Sequence, residues 1–345
     1  MKKIIVAPLN WGLGHASRCV SIIRFLLKNN FTPIIASDGS ALFFLQKEFP
    51  DLEFLELPSY HISYSKNLKW SLFLQIPKVL KAVKKERTVI TDFIQKNDVV
   101  GIISDNRFGV RSSKTPSIYI THQINVSSGI STFLTSRIHQ KIIAKFDECW
   151  IPDTEKCEFS GKLSFFKNNK IKARYIGVLS RFKMEIFPIV HDVLIILSGI
   201  ESQRNQLENR LKGEFKNYKG NVILVQGKIE VQQKKSIENN ITIYNFLLSE
   251  ELEKFINQSE IIVCRSGYSS IMDLAVLQKK VFFIPTKNQA EQEYLAEFLN
   301  KKKYSPFSSE EKFSIKMIDK VKNYKGLKAK ETKLESELFS LFKRE

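Results

Sequence analysis

The chain reads as two successive α/β units, each a parallel sheet with helices wound over both faces. Three observations predict this. Its 345 residues exceed a single core of roughly 150 residues and suit two. Short β-branched runs alternate with stretches of helical periodicity, the pattern of parallel strands covered on both sides. The alternation starts afresh at Asp192, after an irregular stretch at 177–191 that carries Pro188 and reads as a linker. The expected division is a first unit at 1–180, a second at 190–310 and a tail at 311–345. Ligands would sit between the units, at the carboxyl ends of both sets of strands.

In the first unit the apolar runs at 3–7, 33–37, 53–57, 99–104, 117–121 and 148–151 are the expected strands. Val20, Ile23 and Leu27 recur at helical spacing between the first two and mark the core face of a helix ending near Asn29 and Asn30. In the second unit the strands are expected at 192–197, 222–225, 241–244, 261–263 and 281–284. Leu207, Leu211 and Phe215 form the core face of the helix after the first of these. The last 35 or so residues read as one or two charged helices, either docked on the first unit or lying on the surface.

Composition narrows the function classes. Charged residues at 26% and hydrophobic ones at 43% are ordinary for a globular protein. No apolar run approaches the roughly 18 residues that span a bilayer, and the start MKKIIVAPLN reads as a buried strand without a cleavage site, so a cytoplasmic protein is expected. Cys19, Cys149, Cys157 and Cys264 are scattered, which indicates neither a disulfide framework nor a zinc site. The net charge of +18 implies attraction to anionic partners such as nucleotide sugars or an acidic membrane face. Nucleic acid is not expected, because the basic residues form no recognisable module with aromatics. Residues 68–87 combine Trp70, Phe73 and Ile76 with Lys78, Lys81, Lys84, Lys85 and Arg87. Such a stretch either rests on an anionic membrane surface or packs its apolar side on the sheet with the lysines in water.

The most informative segment is 264–296, CRSGYSSIMDLAVLQKKVFFIPTKNQAEQEYLA. A strand runs into Arg265, Ser266 and Gly267, and Ser269 and Ser270 open a helix whose free N–H groups and positive end face that turn, a place for a pyrophosphate. Asp273 lies four residues beyond Ser269, where a carboxylate could take both hydroxyls of a ribose. Glu291, Gln292 and Glu293 return to the same edge after the strand at 281–284 and Pro285. A second phosphate contact is expected from Ser198 and Gly199, at the end of strand 192–197, and from the fork of Arg204. Equally, Gly267 could serve only a tight turn, Asp273 be a solvated charge and Arg204 a surface residue.

The order Cys264-Arg265-Ser266-Gly267, an acid nine residues after the Cys, a strand ending at Pro285 and Gln292 beyond it resembles the donor-binding region of the family 28 glycosyltransferases, the MurG-like N-acetylglucosaminyltransferases. Asp273 stands where that family usually has Glu. The resemblance implies the GT-B architecture, two Rossmann-like domains facing a cleft. It further implies inverting transfer of a hexose or N-acetylhexosamine from a UDP-linked nucleotide sugar to a glycan or lipid-linked acceptor of the cell envelope. The loop NWGLGHASR after the first strand resembles that family's Gly-rich loop, which makes His15 the candidate general base, with Gly14 beside the donor. A dinucleotide fingerprint would need glycine at Ser17, although Asp38 does follow the second strand. His122, in THQIN at the end of a strand, matches a His-bearing cluster that faces the acceptor in the family. Asp105 ends a neighbouring strand, where an acid can pair with a His, bind a sugar hydroxyl or simply form an Asx turn. No DxD stands in a suitable place, so no metal and no cofactor are expected, and helix N-termini with Arg265 would stabilise the departing diphosphate. A nucleotide-sugar 2-epimerase and a non-catalytic nucleotide-sugar-binding protein remain the rival readings.

Overall fold

The computed structural model describes residues 2–60, 68–126, 132–166, 171–329 and 334–343, with no side chains described between 68 and 76. Two sheets organise it. The first has seven parallel strands in the order β3-β2-β1-β4-β5-β6-β7: β1 (Lys3–Pro8), β2 (Thr32–Ser37), β3 (Glu53–Glu56), β4 (Val99–Asp105), β5 (Ser117–Ile120), β6 (Glu148–Ile151) and β7 (Ala173–Tyr175). The second has six in the order β10-β11-β9-β8-β12-β13: β8 (His191–Ile196), β9 (Val222–Val225), β10 (Lys235–Glu238), β11 (Ile241–Tyr244), β12 (Ser259–Cys264) and β13 (Lys280–Phe283). Only β10 runs antiparallel. Ile4 to Ala7 and Leu194, Ile262 and Val263 are fully buried, as strands covered on both faces must be.

Both sheets reverse their winding direction once, between β1 and β4 in the first and between β8 and β12 in the second. A doubly wound sheet opens a crevice at each such point. The chain ends that meet there are the loops after β1 and β4, and those after β8 and β12.

The helices are α1 (Gly14–Lys28), α2 (Gly39–Glu48), α3 (Leu68–Lys96), α4 (Thr132–Ile143), α5 (Glu201–Phe215), α6 (Ser249–Asn257), α7 (Tyr268–Val276) and α8 (Ala290–Lys301). In α1 the core stripe is Cys19, Val20, Ile22, Ile23 and Leu26, whereas Leu27 is 42% exposed. The expected place of Leu27 is thus corrected: the α1 stripe turns away one residue earlier because Leu26 already fills the last turn against the sheet.

The described residues of the tail form no α-helix. They form 3-10 turns at Glu310–Lys312, Ile315–Asn323 and Ser336–Phe342. Phe313, Ile318 and Val321 pack on the second sheet, then the chain returns to the first unit, where Phe339 stacks on Phe25 at 4.4 Å. A Cβ on Gly101 of β4 would lie 2.3 Å from Phe342, so glycine there admits the docked ring. One continuous apolar core runs from β1 and α1 of the first unit to α7 and β13 of the second, so the two crevices face each other across packed side chains.

Candidate active site

The first crevice brings His15 and Asp105 together. Pro8 pairs with Asp105 across β1 and β4, and Gly12, three residues before His15 and at φ +70°, lets the loop turn into α1. His15 Nδ1 lies 2.8 Å from Asp105 Oδ1. Asp105 is fully buried; burial alone pushes its carboxyl up, but Arg18 and His15 outweigh this and hold it well below the usual carboxylate range. An ionised carboxylate only accepts, so Nδ1–H of His15 donates to it and Nε2 is the ring nitrogen that this contact does not use. Arg18, one turn along the same helix, grips both oxygens of Asp105 through Nε and Nη2. Asn106, at φ +61°, places its amide 3.4 Å from Asp105 Oδ1, and its own carbonyl accepts from Tyr119 Oη at 2.9 Å.

The second unit closes on this group. His122, just past β5, places Nδ1 3.2 Å from Arg18 Nη1 and Nε2 2.7 Å from Glu291 Oε1 at the start of α8. The ring lies flat on Tyr268, 4.1 Å between centroids, and Tyr268 Oη donates to Pro152 O at 2.8 Å. Burial lowers the basicity of His122, so its Nε2–H donates to Glu291 and its Nδ1 accepts from Arg18. Both nitrogens are engaged, which gives His122 a bridging place instead of a free basic nitrogen.

Helix α7 meets α1 nearly end to end. Ser269 Oγ donates to Gly14 O at 2.8 Å, and a Cβ on Gly14 would lie 3.2 Å from that hydroxyl, so a larger residue would push the helices apart. Neither α1 nor α7 has its N-terminus closed by a capping side chain. Their free N–H groups and positive ends lie at the same junction, a setting for an anion. Gly267 has an extended backbone, and a Cβ there would touch nothing within 4 Å; the same open space surrounds Gly199, at φ +99° after β8. Ser198 and Ser270 are half-buried beside these turns.

Other expected ligand residues are turned elsewhere. Arg265 is buried, with Nη1 and Nη2 donating to the carbonyls of Ile284, Pro285 and Gln203 and to Glu310 Oε2 at 3.0 Å. In this structure it braces the turn. Asp273 is buried and not a cleft surface residue: Ser180 Oγ of the linker donates to its Oδ1 at 2.6 Å, and Arg181 Nε stands 3.8 Å from its Oδ2. Burial pushes the Asp273 carboxyl up, against the pull of Arg181. Ser266 Oγ donates to Gln292 O, and Gln292 Oε1 accepts from Thr286 N at 2.9 Å, so both tie α8 to the strand ends. Arg204 donates to Gly227 O at 3.1 Å from the first turn of α5. Asp38 is taken by Arg107 Nη1 at 2.6 Å and Asn10 Nδ2 at 3.1 Å, leaving no carboxylate for a dinucleotide ribose.

Arg18, Asn106, Tyr119, Ser180, Arg181 and Tyr268 escaped the sequence reading. Only Arg18 left a signal: it stands at i+3 from His15 and so shares its helix face. Among the described residues, no group of three or more His, Cys, Asp or Glu is placed to hold a metal ion, and no helix is long and apolar enough to cross a membrane.

Residues 194–338 match the glycosyltransferase family 28 C-terminal domain. Over 344 residues the chain is 26% identical to the UDP-N-acetylglucosamine–N-acetylmuramyl-(pentapeptide) pyrophosphoryl-undecaprenol N-acetylglucosamine transferase of Clostridium tetani, covering 94% of this chain and 90% of that one. Among solved structures, the glycosyltransferase of kitacinnamycin aligns with a TM-score of 0.63 at 11% identity, over 93% of this chain and 89% of the other. MurG of Acinetobacter baumannii aligns with a TM-score of 0.54 at 12% identity, over 94% and 90%. The facing crevices, the matched second half and these likenesses make the chain a glycosyltransferase of GT-B fold, resembling the MurG-like members of family 28.

Proposed function

We propose that the chain transfers a hexose or N-acetylhexosamine from a UDP-linked nucleotide sugar to a hydroxyl of a cell-envelope glycan or glycolipid, with inversion. The observation that carries this reading is the His15–Asp105 contact, which engages Nδ1 and makes Nε2 the proton acceptor of this reading.

In this reading the acceptor hydroxyl gives its proton to His15 Nε2 while its oxygen attacks C1 of the donor sugar. The C1–O bond to the diphosphate breaks on the opposite face, and the electron pair leaves with the nucleoside diphosphate. Asp105 stabilises the imidazolium that forms. The open N-terminus of α7, beside Gly267 and Ser269, with Ser198 and Gly199 after the neighbouring β8 and Gly14 across the cleft, supports a place for the leaving diphosphate. Asp273 is the ribose acceptor on this reading, the diol taking over the bond that Ser180 makes. Glu291 and Gln292, at the first turn of α8, stand nearest the sugar.

Product analysis after incubation with a panel of nucleotide sugars and lipid-linked glycans tests the proposal. Free nucleoside diphosphate together with a glycosylated acceptor supports it. An isomerised sugar would assign a 2-epimerase, and binding without turnover would assign a non-catalytic sensor. The lipid side of the acceptor fits α3, on which Lys81, Lys84 and Lys85 are exposed while Ala82, Glu86 and Ile90 face inward; Trp70 and Phe73 lie outside the described side chains.

A further inference from the structure

Arg18 is fully enclosed at the centre of the site, an unusual cost for a cation unless its contacts require it. Its Nε and Nη2 grip the two oxygens of Asp105, its Nη2 also stands 3.0 Å from His15 Nδ1, and its Nη1 reaches His122 Nδ1 at 3.2 Å. We propose that Arg18 is a positioning residue that sets the orientation of His15 by clamping Asp105, and that joins the pair to the second unit through His122. The proposal rests on the reading of His15 as the general base.

Two arguments support it. The first is geometric. A carboxylate held by one imidazole alone swings about its Cβ–Cγ bond, whereas a planar guanidinium bound to both oxygens fixes the plane in which Oδ1 meets Nδ1. Lysine would supply charge without that fork. The second is electrostatic. Nδ1 of His15 lies 2.8 Å from an oxygen of Asp105 and 3.0 Å from a nitrogen of Arg18, so one negative and one positive charge act on the ring from nearly equal distances. The cation also helps keep the buried carboxylate ionised, and an ionised carboxylate only accepts, so it orders the ring that meets it.

The other titratable groups facing His15 are His122, after β5, and Glu291, at the start of α8. They touch each other at 2.7 Å and reach His15 through Arg18. An unbroken chain of contacts thus runs from α8, on the donor side, to His15. Arg18 is its one member that contacts both Asp105 and His122.

The experiment compares Arg18→Met, Arg18→Lys and the double variant Arg18→Met/Asp105→Asn in the full chain, measuring kcat, donor KM and thermal unfolding. Arg18→Met is expected to lower kcat roughly tenfold to a hundredfold with donor KM changed less than about twofold. Replacing Asp105 as well should cost little more, because the clamp acts through that carboxylate. Arg18→Lys keeps the charge and loses the fork, so its kcat should fall too, with donor KM held. A parental kcat in Arg18→Met or Arg18→Lys, or a fall explained wholly by donor KM, overturns the proposal. Should Arg18→Met fail to fold, the Lys variant decides alone. The two readings separate cleanly: if His15→Ala keeps its turnover the base assignment fails, whereas if His15→Ala is inactive and the Arg18 variants behave like the parent, only the clamp fails.

Discussion

Asp105 closes β4 and His15 opens the first turn of α1, 90 residues apart in the chain, yet the pairing of Pro8 with Asp105 sets them 2.8 Å from one another. The geometry orders the imidazole through Nδ1–H on the carboxylate. His15→Ala is therefore expected to lower turnover by about 10² to 10⁴, the span of a lost general base. Donor affinity should change little, since the donor is placed on the other unit. A fall of less than about tenfold, or one explained wholly by lost donor binding, would make His15 structural.

Asp273→Ala should act twice. Donor affinity is expected to drop by roughly 1.5 to 3 kcal/mol, the worth of hydrogen bonds to a charged group. Stability should fall by about 1 to 3 kcal/mol as well, because the variant leaves Ser180 without its acceptor and removes the carboxylate that stands beside Arg181. Calorimetry with the nucleotide sugar and urea unfolding separate the two effects. Stability lost with affinity intact would restrict Asp273 to holding the linker.

His139 offers a pH test of the first unit. Burial pushes its pKa down to about 4, and its Nε2 stands 3.1 Å from Tyr119 Oη. A histidine whose folded pKa is depressed stabilises the fold in its neutral form. Its contribution is therefore complete above the unfolded value near 6.5 and is lost as pH falls toward 4, where the unfolded chain binds the proton first. Unfolding free energy should drop by about 2 to 3 kcal/mol over that window from this group. His139→Phe should flatten the slope while Tyr119 Oη keeps Asn106 as its partner. An equal slope in the variant would remove His139 as its source.

Replacing Lys81, Lys84 and Lys85 by Glu should reduce sedimentation with anionic liposomes and leave neutral ones unaffected. All three side chains are exposed on α3, so the fold should tolerate the change. Sedimentation equal to that of the parent would return this face to plain solvent.

Much of the architecture was legible in local pattern. The runs at 148–151, 222–225 and 241–244 are strands over those same residues, because a parallel strand buried on both faces must be apolar at nearly every position. By contrast β10, with KSIE exposed throughout, carries no such pattern; it exists because β11 offers it an edge. The 3-10 tail likewise follows from the surfaces it fills, Phe342 against Gly101 among them.

For the site, the division is between chain-local and through-space information. Glycines around His15, the CRSG turn and the spacing to Asp273 are properties of contiguous residues, and they sufficed to place the two crevices and the kind of ligand they suit. Which carboxylate meets which cation was decided by sheet order and by the packing of one unit on the other. Asp105 meets Arg18 and His15 because β4 lies beside β1, Asp273 meets Ser180 because the linker crosses α7, and Arg265 turns inward because Glu310 returns from the tail. A charged side chain reaches only a few ångströms, so its partner depends on neighbours in space that no run of adjacent residues encodes.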